Sequence, residues 1–183
     1  MKAPRLLVLA SVTTAFFVIF TGSATANRGN DPETVRLLDD CDPVTFNAVL
    51  GAGACIGDGD TTFEEFGEAL AEGGDHHWRN NPKETTVKRG HGLHLVNRGG
   101  EFHTFTKVDS FAAGGCVPEL NGPLGLPGRD PAFCGAAFSD PVLAVPAGAE
   151  SEVPSSALER GHNHFQCMIH PWMTTTVTVR GDR

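Results

Sequence analysis

Near the C-terminus, Cys167, His170 and Met173 follow one another at C-x2-H-x2-M spacing. A loop of this kind can set a thiolate sulfur, an imidazole nitrogen and a weaker thioether sulfur around one metal ion. Soft sulfur donors suit Cu(I), and imidazole serves both copper oxidation states. Two histidines, one cysteine and a long axial methionine are the donor set of a blue, one-electron copper centre. The loop carries three of these four donors. The fourth, a histidine, must come from elsewhere in a chain that has eight of them. His103 is the best candidate. It follows the turn signal Arg98-Gly99-Gly100 and begins the strand-like run Phe102–Val108. That end of a sheet can face a loop between two later strands.

The elements that must position these residues read as strands from about residue 75 onward. Thr85–Lys88 and Leu93–Asn97 are candidates, the second with Leu93 and Leu95 alternating against His94 and Val96. Val142–Val145 and Glu152–Leu158 follow. His162–Cys167 comes next, with Phe165 and Cys167 on one face and His162, His164 and Gln166 on the other. Thr174–Arg180 ends the series, with Val177 and Val179 inward. Short strands with regular turns and no later helices predict a mainly β protein, a β-sandwich. A Gly/Pro-rich stretch, 112–131, lacks periodicity and is long for a structureless loop.

The segment before residue 75 has a different texture and reads as a short helical extension. Pro32–Leu38 could make two turns. Asp42-Pro43 is a helix start with Phe46, Val49 and Leu50 at helical spacing. Thr61–Glu64 resembles a capping box ahead of the stripe Phe63, Phe66, Leu70, and Gly73-Gly74 ends that helix. Asp58-Gly59-Asp60 before Glu64-Glu65 suggests a calcium loop. With Glu65 as the last ligand, however, the first and third positions fall on Ala54 and Ile56, which have no side-chain oxygen. A capped helix after an Asp/Gly turn is the better reading.

Residues 1–26 read as an export signal. Lys2 and Arg5 precede the apolar run Leu6–Phe20, which is short for a membrane span of about 20 residues. Ala24-Thr25-Ala26 provides a cleavage site before Asn27. An uncleaved anchor is the alternative. No span is then expected in the mature chain, which would lie in a periplasm or outside the cell, where disulfides persist. Five cysteines leave one over. Local pairing of Cys41 with Cys55 and Cys116 with Cys134 would leave Cys167 free, although the count alone does not prove it. A net charge of −8, with no basic run, argues against nucleic acid or an anionic membrane surface as partner.

The run Val87-Lys88-x-Gly90-x-x-Leu93-x-Leu95-x-Asn97-x-Gly99-x-x-x-His103-Thr104-Phe105, followed by Phe165-x-Cys167-x-x-His170-Pro171-x-Met173, resembles the cupredoxin family. The loop is most similar to that of amicyanin and its plastocyanin-like relatives, and the resemblance covers roughly residues 75–181. Thr175 stands where many relatives carry glycine. The resemblance implies a Greek-key cupredoxin sandwich over 75–183, one copper ion bound by His103, Cys167, His170 and Met173, and single-electron shuttling without enzymatic turnover. It also implies that Asn97 and the Thr104 backbone support the site. Transient redox partners would dock on an apolar rim at Pro171 and Trp172, beside an exposed edge of His170. A monomer is expected.

Blander readings exist for each of these residues. Cys167 could be a buried free thiol, His103 a hydrogen-bonded strand histidine, and Met173 core filling. His162 and His164 share a face and could bind a second metal, but exposed pairs are usually just solvated. His76-His77, His91 and His94 show no clear geometry. A multicopper enzyme would carry histidines beside the copper cysteine, whereas Cys167 is flanked by Gln166 and Met168. His162-Asn163-His164 is a single H-x-H. Copper storage or delivery on the same scaffold remains the alternative function.

Overall fold

The computed structural model describes residues 32–181. The export signal read at 1–26 lies outside these residues. In chain order the elements are β1 (Glu33–Leu38), α1 (Pro43–Leu50), α2 (Phe63–Ala69), β2 (Arg79–Asn81), β3 (Glu84–Lys88), β4 (Leu93–Asn97), β5 (His103–Thr104) and β6 (Thr106–Val108). They continue with α3 (Pro118–Asn121), α4 (Pro131–Ser139), β7 (Ala144–Val145), β8 (Glu150–Val153), β9 (Gly161–Gln166) and β10 (Thr174–Arg180). Two four-stranded sheets, ordered β2-β1-β4-β8 and β3-β10-β9-β6, form the sandwich, and β5 pairs with β7.

The inner faces follow period-two patterning. Val35 and Leu37 of β1, Leu93 and Leu95 of β4, and Val177 of β10 are completely buried. Phe105 and Phe165 stack between the sheets with centroids 4.4 Å apart. Full burial of such a side chain contributes about 1.5–3 kcal/mol. The expected strand Phe102–Val108 is divided at Phe105. His103 and Thr104 pair with β7, whereas Thr106–Val108 pair with β9. The break turns the first half toward the loop that carries Cys167 and Met168 and leaves the second half in the sheet.

The N-terminal segment departs from expectation. Pro32–Leu38 is not two helical turns. Its residues alternate buried Val35 and Leu37 with Thr34 and Arg36, a strand pattern. β1 lies between β2 and β4, parallel to β4, with Leu37 opposite Asn97. The sandwich therefore begins at residue 33 rather than near 75. The helix starting at Asp42-Pro43 forms as read, with the Asp42 carboxylate accepting from the Thr45 N–H at 2.7 Å. The capping box is shifted by one residue to Thr62 and Glu65. No calcium cluster forms at 54–65 among the described residues.

The 112–131 stretch is also more ordered than its composition suggests. Asp130-Pro131 repeats the start signal of α1, and the Asp130 carboxylate caps α4. Disulfides join Cys41 to Cys55 and Cys116 to Cys134, leaving Cys167 as the free cysteine. Closing loops of this length stabilises the fold by about 3 kcal/mol each in the chain-entropy account. Among the described residues, no helix is long and apolar enough to cross a membrane.

Candidate metal centre

Cys167 immediately follows β9, and its N–H donates to the Met173 carbonyl at 3.0 Å. The Met173 N–H in turn donates to the His170 carbonyl at 2.9 Å. These bonds fold the loop back on itself and put His170 beside the thiol. β5 runs along the same end of the sandwich. The Thr104 N–H donates to Cys167 Sγ at 3.4 Å, and Thr104 Oγ1 accepts from the Met168 N–H at 2.8 Å. These bonds bring His103, the residue before Thr104, to the same sulfur.

The outcome is a set of buried donor atoms. Cys167 Sγ lies 3.9 Å from His103 Nδ1 and 4.0 Å from His170 Nδ1. Ordinary bond lengths to a divalent ion, about 2.3 Å to sulfur and 2.0–2.1 Å to nitrogen, put trigonal ligands about 3.7 Å apart. The three side chains fit one ion with little movement. Met173 closes the loop and is fully buried. The four residues expected to bind metal all belong to this end of the fold, and His103, Cys167 and His170 converge directly.

The far sides of both imidazoles meet carboxylates that sequence reading had not singled out. His103 Nε2 donates to Asp39 Oδ2 at 2.7 Å, with both side chains essentially inaccessible to solvent. Asp39 stands just past β1, level with the 98–101 turn, and also accepts from the N–H groups of Gly100 and Glu101. A metal-binding histidine commonly gives its second N–H to a carboxylate, which fixes its tautomer and ring orientation. The contact thus leaves Nδ1 free to face the sulfur. His170 Nε2 lies 3.5 Å from Glu101 Oε2, and Trp78 Nε1 donates to that same oxygen. The Asn97 side chain donates to the Glu101 and Val145 carbonyls at 2.8 and 2.9 Å, which pins the turn before His103. This is the supporting place expected for Asn97.

The electrostatics follow from these contacts. Burial pushes the His103 imidazolium pKa down. The Asp39 carboxylate and the Cys167 sulfur outweigh burial and bring it to about 10. Burial pushes the Cys167 thiol up, but hydrogen bonds and charge from His103 and His170 take it well below its usual value. Burial opposes the Asp39 charge too, yet the His103 contact and the two backbone N–H groups hold its pKa low. Glu101 is the reverse: burial raises it, and the offsetting contacts with His170 and Trp78 are too weak to win. A metal ion between Cys167 and His103 would replace the proton on Nδ1.

One expectation fails here. His170 is only 2 % exposed, so it has no free edge. Phe66, Trp78 and Trp172 surround it at 6.0, 6.3 and 5.4 Å between ring centroids. α1, α2 and the segment after them supply this cover, with Phe46 stacked on Trp78 at 5.7 Å. Trp172 Nε1 donates to the Asp75 carbonyl at 2.9 Å, so Trp172 faces the N-terminal segment. Gly74, at φ +108°, permits the close approach: a Cβ there would lie 2.3 Å from the Trp172 ring. The contacts of Asp39, Glu101, Phe66 and Trp78 with the two histidines are not legible in the sequence, because each residue acts from outside the loop that carries Cys167 and His170. Only the proximity of Glu101 to His103 along the chain hinted at one of them.

The remaining histidines separate. His94 pairs with Glu150 at 3.1 Å. His162 contacts Thr178, and it joins no ligand cluster with His164 among the described residues. His76 and His77 do meet a carboxylate.

No protein-family model matches the chain, and no curated protein matches it. Solved structures do. A purple cupredoxin from Nitrosopumilus maritimus aligns at 15% identity over 81% of this chain and 99% of its own, with a TM-score of 0.40. In fold, the chain is similar to the cupredoxins. An oxidized plastocyanin from Dryopteris crassirhizoma aligns at 16% identity over 80% of this chain and 99% of its own, TM-score 0.36. A reduced Cu(I) amicyanin variant aligns at 18% identity over 56% and 73%, TM-score 0.34. The candidate metal centre stands on the distances above.

Proposed function

We propose that the protein is an exported type 1 copper protein that carries single electrons. The Nδ1 atoms of His103 and His170 and the Sγ of Cys167 would hold one ion per chain, with Met173 as a weaker fourth donor. The observation that carries this reading is the buried triangle of one sulfur and two Nδ1 atoms, at 3.9 and 4.0 Å from sulfur to nitrogen. A copper ion bound there would supply one-electron redox chemistry. The chain's own contribution is rigidity. Asp39 fixes the His103 ring, the Thr104 N–H holds the sulfur, and the Cys167–Met173 backbone bonds fix the loop. Donors held this way move little between oxidation states, which keeps reorganisation small.

The aromatic cover has a second effect. It excludes water from His170, which hinders binding of exogenous ligands at the metal. It also disfavours rapid release of the ion, so it supports a carrier over a delivery or storage protein. Two disulfides fit an oxidising compartment. The partner would be another redox protein, docking transiently on a small interface. An apolar cavity of about 480 Å³ lined by Phe46, Leu50, Phe66, Leu120 and Ile169 reaches His170. The face that carries it also exposes Val49 and Leu50, an apolar surface on which such a partner could dock.

The test is the visible spectrum of the protein with Cu(II), beside that of Cys167→Ser. An intense blue or purple thiolate-to-copper band at one ion per chain, absent in the variant, is expected. A wild-type complex without an intense band, or a band that survives in Cys167→Ser, defeats the assignment.

A further inference from the structure

A second group of ligand atoms lies outside the buried centre. Asp75 Oδ1 stands 3.0 Å from His77 Nδ1 and 3.8 Å from His76 Nδ1, and one ligand atom of each residue lies within 4.8 Å of the others. Two ligands sharing a tetrahedral divalent ion at 2.0–2.1 Å are about 3.3 Å apart. The observed separations bracket that value. The two rings lie against each other, with centroids 3.9 Å apart and planes tilted by 38°. The Asp75 carboxylate is buried, whereas the His76 and His77 side chains are 85% and 41% exposed. The imidazoles can therefore adjust around an ion while the carboxylate stays fixed.

A simpler reading covers only part of this. Asp75 Oδ1 also accepts the His77 N–H at 2.8 Å, a local turn that by itself brings His77 near the carboxylate. That turn does not by itself bring His76 Nδ1 to 3.8 Å from the same oxygen. The surroundings favour a cation as well. Asp75 and His77 line a concavity with Asp40, Asp60 and Glu65, where the summed negative field concentrates positive ions. The Trp172 bond to the Asp75 carbonyl anchors the group to the metal loop.

We propose that Asp75, His76 and His77 form an accessory, solvent-facing site for a late first-row divalent cation, bound most tightly as Cu(II). Two imidazoles and one carboxylate suit such ions, and the stability order of the series peaks at copper. Water would complete the coordination, so the ion would be exchangeable. The site does not depend on the buried centre being a copper site.

Cu(II) titrated into the whole protein, followed by calorimetry and electron paramagnetic resonance, tests this. The wild type should take up a second equivalent with an ordinary tetragonal, non-blue signal. His76→Ala/His77→Ala should lose that equivalent, or weaken it at least tenfold, with the first equivalent and its visible band unchanged. His76 is exposed, so His76→Ala alone leaves packing intact and should still weaken the second site several-fold. A wild type with no second equivalent, or one that persists undiminished in both variants, overturns the proposal. Failure of the buried centre would look different: the visible band would be missing while the second signal remained.

Discussion

Replacing Asp39 with asparagine probes the least expected part of the centre. The substitution keeps the shape and one acceptor oxygen but removes a charge 2.7 Å from His103 Nε2. Across the imidazole, that charge would lie roughly 7 Å from a bound ion. At an effective dielectric of about 20, a unit charge at that distance contributes roughly 2.4 kcal/mol per unit of metal charge. Cu(II) carries one unit more than Cu(I), so Asp39→Asn should favour the reduced state. With about 59 mV for each tenfold change in a one-electron equilibrium, the potential should rise by about 100 mV. Loss of a carboxylate behind a metal-binding histidine also costs about 10–100-fold in affinity. Cu(II) affinity, from competition with a chelator, should fall about 50-fold further than Cu(I) affinity, the ratio that a rise of about 100 mV requires. Redox titration of the same variant supplies the second readout. An unchanged or lowered potential with undiminished Cu(II) affinity would refute the role given to Asp39, because neither charge nor orientation would then pass through His103.

Other perturbations address the loop, the cover and the helix cap. Met173→Leu should retain copper and raise the potential by something on the order of 59 mV, since a weak donor that favours Cu(II) is lost. An unchanged potential by voltammetry would count against Met173 as a ligand. Gly74→Ala must place a Cβ 2.3 Å from the Trp172 ring at φ +108°, which should cost more than about 1 kcal/mol in urea unfolding and alter tryptophan fluorescence. Stability within about 0.5 kcal/mol of wild type would show that the contact is not needed. Glu65 is held below the usual 4.5 by its bonds to the Thr62 hydroxyl and N–H. A depressed folded value means the stabilisation is present above the unfolded pKa and disappears as pH falls through the folded one. The stability gap between wild type and Glu65→Gln should therefore hold at neutral pH and shrink as pH falls below about 5. A gap that stays constant with pH would contradict the capping-box role.

What the sequence by itself determined was local. Cys167, His170 and Met173 sit in one loop, so their spacing alone suggests shared coordination, and β4, β9 and β10 show their burial through alternation. Asp42-Pro43 and the Phe63, Phe66, Leu70 stripe work the same way, because caps and helical stripes involve residues a few positions apart. Even His103 was reachable, since the turn before it and the strand after it are both local signals. Tertiary structure decided the rest. Whether Pro32–Leu38 is helix or strand depends on β2 and β4 flanking it, and no short-range pattern records those partners. Asp39 meets His103 only because the parallel register of β1 on β4 carries the chain end to the 98–101 turn. His170 is buried because two helices far upstream fold over it, where sequence reading had placed an open edge. Burial and long-range charge contacts are properties of packed neighbours, and packing is what a one-dimensional pattern leaves unspecified.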